Sequence, residues 1–205
     1  MRTDLYGLVH KAQRYQLFAF AQRLAHADLE DACCRSTLER SVRQLAEMLR
    51  DHAQNEHRFI HPLFDAIGEA AEPLELDHHT LEDDIAAWIA VVDEQRWEQL
   101  YGATMCLIGK YLLHIDAEER AQERWLWPHY TDAQLGDVMA RFRAERPPAA
   151  AHADLQLFIT SLGTLDLVKF LGGFSSAPSD VRQSVMNLAQ ELLGAERWAG
   201  LTARL

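Results

Sequence analysis

Apolar residues recur at steps of three and four over long stretches of this chain, and glycine and proline are sparse before residue 146. This period places apolar side chains along one face of an α-helix. It predicts four long helices, over about residues 4–27, 36–67, 73–93 and 96–127. Pro62 lies inside the second of these and should bend or shorten its end. Short connections between such helices are typical of an up-down-up-down four-helix bundle, so we expect an all-α protein.

The composition changes after residue 145, where two prolines and three alanines occupy 147–151. A helical pattern over 131–145 comes before this change, and the apolar spacing after it predicts several shorter helices up to residue 205. We therefore expect a four-helix bundle over 1–130 and a C-terminal helical extension over 131–205. The extension contains no recognisable catalytic pattern, and it either packs on the bundle or forms a homodimer surface.

Composition and charge exclude several classes of protein. The 205 residues contain 20 Lys and Arg against 31 Asp and Glu, a net charge of −11, which argues against nucleic-acid binding. Apolar residues make up 48% of the chain, enough for a packed core, but no uncharged apolar run is long enough for a transmembrane helix. The N-terminus lacks the apolar stretch of a signal peptide. Three cysteines, two of them adjacent, do not form a disulfide framework, so the expected location is the cytoplasm.

Polar residues interrupt the apolar face of the second and fourth helices at equivalent places. The face of the second helix reads Leu38, Val42, Leu45, Leu49, His52, Glu56, Phe59 and Leu63. The face of the fourth reads Trp97, Leu100, Thr104, Leu107, Tyr111, His114, Glu118, Ala121 and Trp125. In both helices a histidine and then a glutamate, one turn apart, occupy positions where the core requires apolar side chains.

The first and third helices each add a histidine to this predicted core. His10 lies on the apolar face of the first helix and His78 on that of the third, although a shifted helix start would favour His79. A buried ionised carboxylate costs several kcal/mol unless it is paired or binds metal. One di-metal centre would compensate two such carboxylates together, and mixed imidazole and carboxylate donors suit iron or another first-row metal. The predicted metal ligands are His10, His52, Glu56, His78, His114 and Glu118.

Simpler interpretations exist for each residue taken singly. A lone histidine on an apolar face is more often a core residue than a ligand, and His-x-x-x-Glu pairs are common on exposed helix faces. Recurrence of the pair on two predicted buried faces favours metal. His61 falls off the apolar face of the second helix, which predicts a solvated role or one beside the ligands. Cys106 is expected to be a small core residue.

The chain resembles the hemerythrin-like, or HHE cation-binding, family over about residues 4–130. The resemblance rests on these motifs: His10 with Arg14, His52-Ala-Gln-Asn-Glu56 followed by His61-Pro62, Asp77-His78, and His114-Ile-Asp-Ala-Glu118-Glu119. It implies a non-haem di-iron centre held by the six predicted ligands. The chain departs from the family where His61 replaces a phenylalanine. It departs again where Glu82 stands at the place of a further histidine in the oxygen carriers.

The resemblance implies two iron ions and a small ligand such as O₂, NO or peroxide, bound or sensed at an open position. An alternative is a di-iron oxidoreductase, peroxidase-like or NO-handling, or an iron storage or repair protein. A site with four histidines and two glutamates is closer to that of bacterial di-iron proteins linked to iron–sulfur repair and nitric oxide. The cysteine-containing N-terminal domain of those repair proteins is absent from this sequence, so their function does not follow from the resemblance. A third hypothesis is a structural bundle without metal, which the complete set of six candidate ligands disfavours.

Overall fold

The computed structural model describes residues 2–68 and 72–205, with the backbone alone for 72–77. The described part of the chain is helical apart from short turns and contains no strand, which confirms the all-α prediction. The helices are α1 Gly7–Ala25, α2 Ala32–Phe59, α3 His61–Ala66, α4 Glu72–Asp93, α5 Trp97–Ala121, α6 Trp127–His129, α7 Asp132–Glu145, α8 Pro148–Ser161, α9 Thr164–Gly172 and α10 Ser179–Thr202. A π-helical turn, Gln122–Leu126, joins α5 to α6. Within the described ranges, no helix has the length and apolar character needed to cross a membrane.

Capping residues and a proline set the ends of α2. The helix begins four residues earlier than predicted because the Asp31 carboxylate accepts hydrogen bonds from the backbone N–H groups of Cys33 and Cys34. It ends at Phe59, and α3 begins at His61 with Pro62 in its first turn. Proline fits there because the first helical turn does not use its missing N–H. The predicted effect of Pro62 is therefore confirmed.

The chain divides into two compact units, of which the first comprises Met1–Tyr6 and Gln16–Phe142. Its larger apolar cluster draws on α1, α2, α4 and α5. Trp88 lies at the centre of this cluster, with its ring edge-on to Phe20 at 5.7 Å and its indole N–H donated to the Thr104 hydroxyl at 2.8 Å. A second cluster joins Leu5 and Tyr6 to α3, α7 and the π-helical turn. Along both α2 and α5, the His-x-x-x-Glu pair lies between residues of these two clusters.

The second unit comprises Gly7–Tyr15 and Arg143–Leu205. Its core is formed by Ala12 with apolar side chains of α8, α9 and α10, among them Ile159 and Leu167. Gly194 has a φ of 71° and breaks the regular geometry of α10 at that point. The residues after Gly194 therefore form a last helical segment beyond a kink within α10. The predicted domain boundary at residue 130 stays a prediction.

Candidate metal centre

The predicted ligands on α2, α4 and α5 are buried or nearly so. Glu56 is 1% exposed and Glu118 is fully buried. The side chains of His52, His78 and His114 are 10%, 12% and 4% exposed. The helical period places both pairs inside, because His52 follows core Leu49 and His114 follows core Tyr111 by three positions, and each glutamate follows its histidine by four. The sequence therefore predicted which side of each helix carries the polar group.

Each His-x-x-x-Glu pair forms a contact within its own helix. His52 Nε2 lies 3.0 Å from Glu56 Oε1, and His114 Nε2 lies 3.0 Å from Glu118 Oε1. The spacing of four residues makes these contacts possible because such side chains stack one turn apart. Both glutamates thus turn toward the interior, where α4 supplies the next partner.

His78 of α4 connects the two pairs. Its Nε2 atom lies 3.3 Å from Glu56 Oε2 and 3.2 Å from Glu118 Oε1. Its ring centroid lies 4.6 Å from that of His114. His79 is exposed, whereas His78 lies among the other donor atoms, so the structure places His78 at the site; its role as a ligand stays a prediction. The side chain of Asp77, which the resemblance also uses, lies outside the described residues.

These donor atoms are close enough together to hold metal. One atom each from Glu56, His78, His114 and Glu118 lies within 4.8 Å of the others, and the same holds for His52, Glu56 and Glu118. Metal–ligand bonds of about 2.0–2.2 Å place donors on one ion within this range of each other. The two groups share both glutamates, so the same carboxylates belong to each place where a metal ion could be held. Its imidazole and carboxylate composition matches first-row transition metals.

His10 is fully buried on α1, as its position on the apolar face predicted. It belongs to the second compact unit, whereas the other five predicted ligands belong to the first. Its role as a ligand stays a prediction from the sequence.

His61 and Cys106 do not follow the simplest expectations. A solvated His61 is wrong, because the residue is 1% exposed and its ring stacks on His78 at 5.1 Å with 12° between the planes. The chain changes direction at Ile60, between α2 and α3, so the period of α2 does not extend to residue 61. Cys106 is exposed instead of buried, because one residue is about 100° of rotation away from buried Leu107.

The two glutamates change the protonation of His78. Burial by itself lowers the pKa of His78, but hydrogen bonds to Glu118 and Glu56 and the negative charges of both raise it from 6.5 to about 9. A protonated imidazole therefore lies between two buried carboxylates at neutral pH. This positive charge offsets part of the carboxylate charge where a metal cation would otherwise do so.

Tyr6 lies in the same electrostatic environment. Burial raises the pKa of its phenol well above 10, and the negative charges of Glu56 and Glu118 raise it further. The phenol is therefore a neutral hydrogen-bond donor at neutral pH. Tyr111 is also buried, with its ring centroid 6.3 Å from that of His114.

A network around Gln122 fixes the segment that carries Tyr6. The side-chain oxygen of Gln122 accepts the Leu5 N–H at 2.7 Å, and its amide donates to Asp4 Oδ1 at 3.1 Å. The same Asp4 oxygen accepts the Tyr6 N–H at 3.0 Å, so Asp4 holds the turn before α1. Sequence reasoning missed Gln122, because the predicted face continued through Ala121 and Trp125. A π-helical turn takes about one extra residue, and it places Gln122 and Leu126 inside instead.

A cavity of about 410 Å³ opens beside the donor atoms, between α2, α4 and α5. Three of the predicted ligands line it, namely His52, His78 and His114. Apolar residues such as Ile85 and Leu81 form much of the remaining wall. Glu82 also lines this cavity and forms an ion pair with Arg50 at 2.6 Å.

Comparisons of the chain with protein-family models, with curated proteins and with solved structures found no match. What is established is an all-helical protein with buried histidine and glutamate groups that could hold a metal ion.

Proposed function

We propose that this chain is a hemerythrin-like di-iron protein that binds or senses O₂, NO or peroxide. In this proposal α1, α2, α4 and α5 form an up-down-up-down four-helix bundle, and the ligands are the six predicted from the sequence. The observation that carries the proposal is the convergence of histidines and glutamates from three helices in two groups that share both glutamates, with donor atoms within 4.8 Å of one another in each group. The donor chemistry suits first-row transition metals in general, and iron in preference to zinc or manganese follows from the resemblance alone.

Two irons bound here would supply open coordination positions for a diatomic molecule or peroxide. Different residues of the chain would have different roles around these ions. Glu56 and Glu118 belong to both donor groups, which suits them to contact both ions. His78 gives up its proton when it becomes a ligand, because imidazole binds metal in its neutral form. Tyr6 and Tyr111 place phenols in or beside the buried site, and a phenol O–H can hydrogen-bond a small oxygen-containing ligand.

A di-iron oxidoreductase is the second candidate, and the cavity favours it. A diatomic molecule occupies roughly the volume of one or two water molecules, about 30–60 Å³. A cavity of about 410 Å³ beside the histidines is larger than such a ligand requires. It falls in the range of pockets that bind small organic molecules, about 300–1,000 Å³. Turnover of a small aromatic substrate with peroxide and a defined reductant would support this candidate over simple binding.

Substitution of the ligands tests the proposal. Glu56→Ala and His114→Ala should each lower bound iron and reduce thermal stability in its presence, because metal binding is coupled to folding. Glu82→Ala and His79→Ala are the matched controls, since both residues are exposed and neither contributes a donor atom to the two groups. Full iron occupancy in both ligand variants would refute the assignment.

A further inference from the structure

The cavity between α2, α4 and α5 has buried apolar sides. Leu49, Leu81 and Ile85 line it and are 2%, 7% and 4% exposed. Four further lining residues carry flat rings and are nearly as buried, namely His52, His78, Tyr111 and His114. Aromatic molecules pack against such rings by offset stacking or edge to face. These surfaces therefore favour a flat, apolar ring as the occupant.

The volume of the cavity limits the size of this occupant. A dry apolar cavity of about 150 Å³ is large enough to bind benzene. The cavity here measures about 410 Å³, so it has room for a molecule of two fused rings. Ala53 contributes the smallest of the lining side chains, and a larger residue at this position would fill part of the space.

Two oppositely charged residues that line the cavity, Arg50 of α2 and Glu82 of α4, pair with each other across its mouth. The Arg50 Nε atom donates to both carboxylate oxygens of Glu82, at 2.8 and 3.0 Å, and Nη2 lies 2.6 Å from Oε1. Their side chains are 34% and 51% exposed, so they lie where the cavity opens to water. Each of the two charges is therefore already compensated by the other.

The charges at the inner end of the cavity are compensated as well. Glu56 and Glu118, both within the described residues, do not line the cavity. They contact His78 instead, at 3.3 and 3.2 Å, so the positive charge that His78 carries without metal is already engaged. A charged ligand in this cavity would lose water without gaining an uncompensated partner, which is unfavourable. The arrangement of charges therefore favours a ligand without charge.

We propose that this cavity binds an uncharged aromatic molecule of one or two rings, and that the Arg50–Glu82 pair makes it select against charged ones. The inference deepens the second candidate function, because it names the chemical class of the substrate, and for that role it rests on the proposed function. Binding itself needs no metal, since the lining described above is formed by the chain alone. The ligand can therefore be tested with the metal-free full chain.

Three probes with one ring system test the selection by charge. At pH 7 indole is neutral, indole-3-acetate is an anion and tryptamine is a cation. Calorimetric titration of the metal-free chain should show indole bound about tenfold more tightly than either charged probe. Glu82→Gln frees the Arg50 guanidinium for a carboxylate and should tighten indole-3-acetate binding by about tenfold. Arg50→Gln should do the same for tryptamine through the Glu82 carboxylate.

Matched controls separate these effects from a general change of charge. Asp83→Asn removes an exposed carboxylate beside Glu82 that does not line the cavity, so all three affinities should stay unchanged. The double variant Arg50→Gln/Glu82→Gln removes both charges and should again prefer indole.

Filling the cavity tests where the ligand binds. Ala53→Phe places a ring in the space and should weaken indole binding by about tenfold. Ala86→Phe is the matched control, because Ala86 is exposed on α4 and does not line the cavity. Circular dichroism of each variant checks folding. If Ala53→Phe does not fold, the charge variants decide, because they alter only side chains at the mouth.

Several results would overturn the inference. Absence of indole binding to the parent chain is one, and unchanged indole affinity in folded Ala53→Phe is another. A third is the same preference among the three probes in the parent chain, Glu82→Gln and Arg50→Gln. Iron content, measured separately, distinguishes this failure from failure of the proposed function. Iron without indole binding refutes the ligand class alone, whereas indole binding without iron supports the ligand site and refutes the di-iron proposal.

Discussion

Replacing Glu118 by glutamine removes one of the two buried carboxylates that contact His78 and keeps the shape of the side chain. In the metal-free protein those carboxylates raise the pKa of His78 from 6.5 to about 9, against the opposing effect of burial. With Glu56 alone, the pKa of His78 should fall by about one unit or more. A pH titration of the imidazole resonances by NMR measures this directly.

The same change predicts how stability depends on pH. A histidine whose pKa is higher in the folded than in the unfolded state stabilises the fold fully below pH 6.5, and this contribution is lost as the pH rises through about 9. The difference between 6.5 and about 9 corresponds to roughly 3 kcal/mol, as an upper value. The free energy of unfolding of the metal-free protein should therefore fall between pH 6.5 and 9.5. In Glu118→Gln it should fall by about half as much or less.

Urea denaturation of metal-free protein at pH 6.5, 8 and 9.5 provides the assay. Glu123→Gln is the matched control, because it removes an exposed carboxylate near the same helix end and should keep the pH dependence of the parent chain. Equal pH dependence in the parent chain and Glu118→Gln would refute the electrostatic account of His78. Stability that rises with pH in the parent chain would refute it as well.

Three further predictions follow from the described contacts. Iron(II) binding at pH 7 should release about one proton from His78, measured by calorimetry in buffers of different ionisation enthalpy, and an enthalpy independent of the buffer would contradict its role as a ligand. His61→Phe should keep bound metal and alter only its reactivity toward NO or peroxide, since His61 stacks on His78; loss of metal would instead make His61 a ligand. Gly109→Ala should stabilise the fold by about 1 kcal/mol, because a Cβ atom there meets nothing within 4 Å and alanine favours the helix over glycine. A melting temperature for Gly109→Ala below that of the parent chain would contradict this prediction.

Much of the candidate centre was predictable because helix geometry is strongly determined by sequence. Residues four apart lie on one face, so once the leucines of α2 and α5 mark the core, the side chains of Glu56 and Glu118 must point inward. Burial of His10 and the choice of helices followed from the same period. Which of His78 and His79 faces the core was harder to predict, because few core residues precede them in α4. Only the structure shows that His78 is the one that faces inward.

Other features depend on breaks in that period, which sequence patterns do not show. The turn at Ile60 between α2 and α3 brings His61 inside, although its spacing from Glu56 does not indicate this. The π-helical turn changes the phase after Glu118, so Gln122 is buried in place of Ala121. Helix ends also shifted where a side-chain cap was not recognised. The Thr131 hydroxyl accepts the Gln134 N–H at 3.3 Å and the Gln134 side-chain oxygen accepts the Thr131 N–H at 2.9 Å, so Thr131 caps α7.

Metal content is the most direct test of the central proposal. Iron, manganese and zinc per chain should be measured after purification and again after anaerobic reconstitution with iron(II), for the parent chain and for the Glu56→Ala/Glu118→Ala double variant. The account predicts about two irons per chain in the parent and little in the double variant. Negligible metal in the parent after reconstitution, or equal iron in both proteins, would contradict it and would leave the buried histidines and glutamates with a purely structural role.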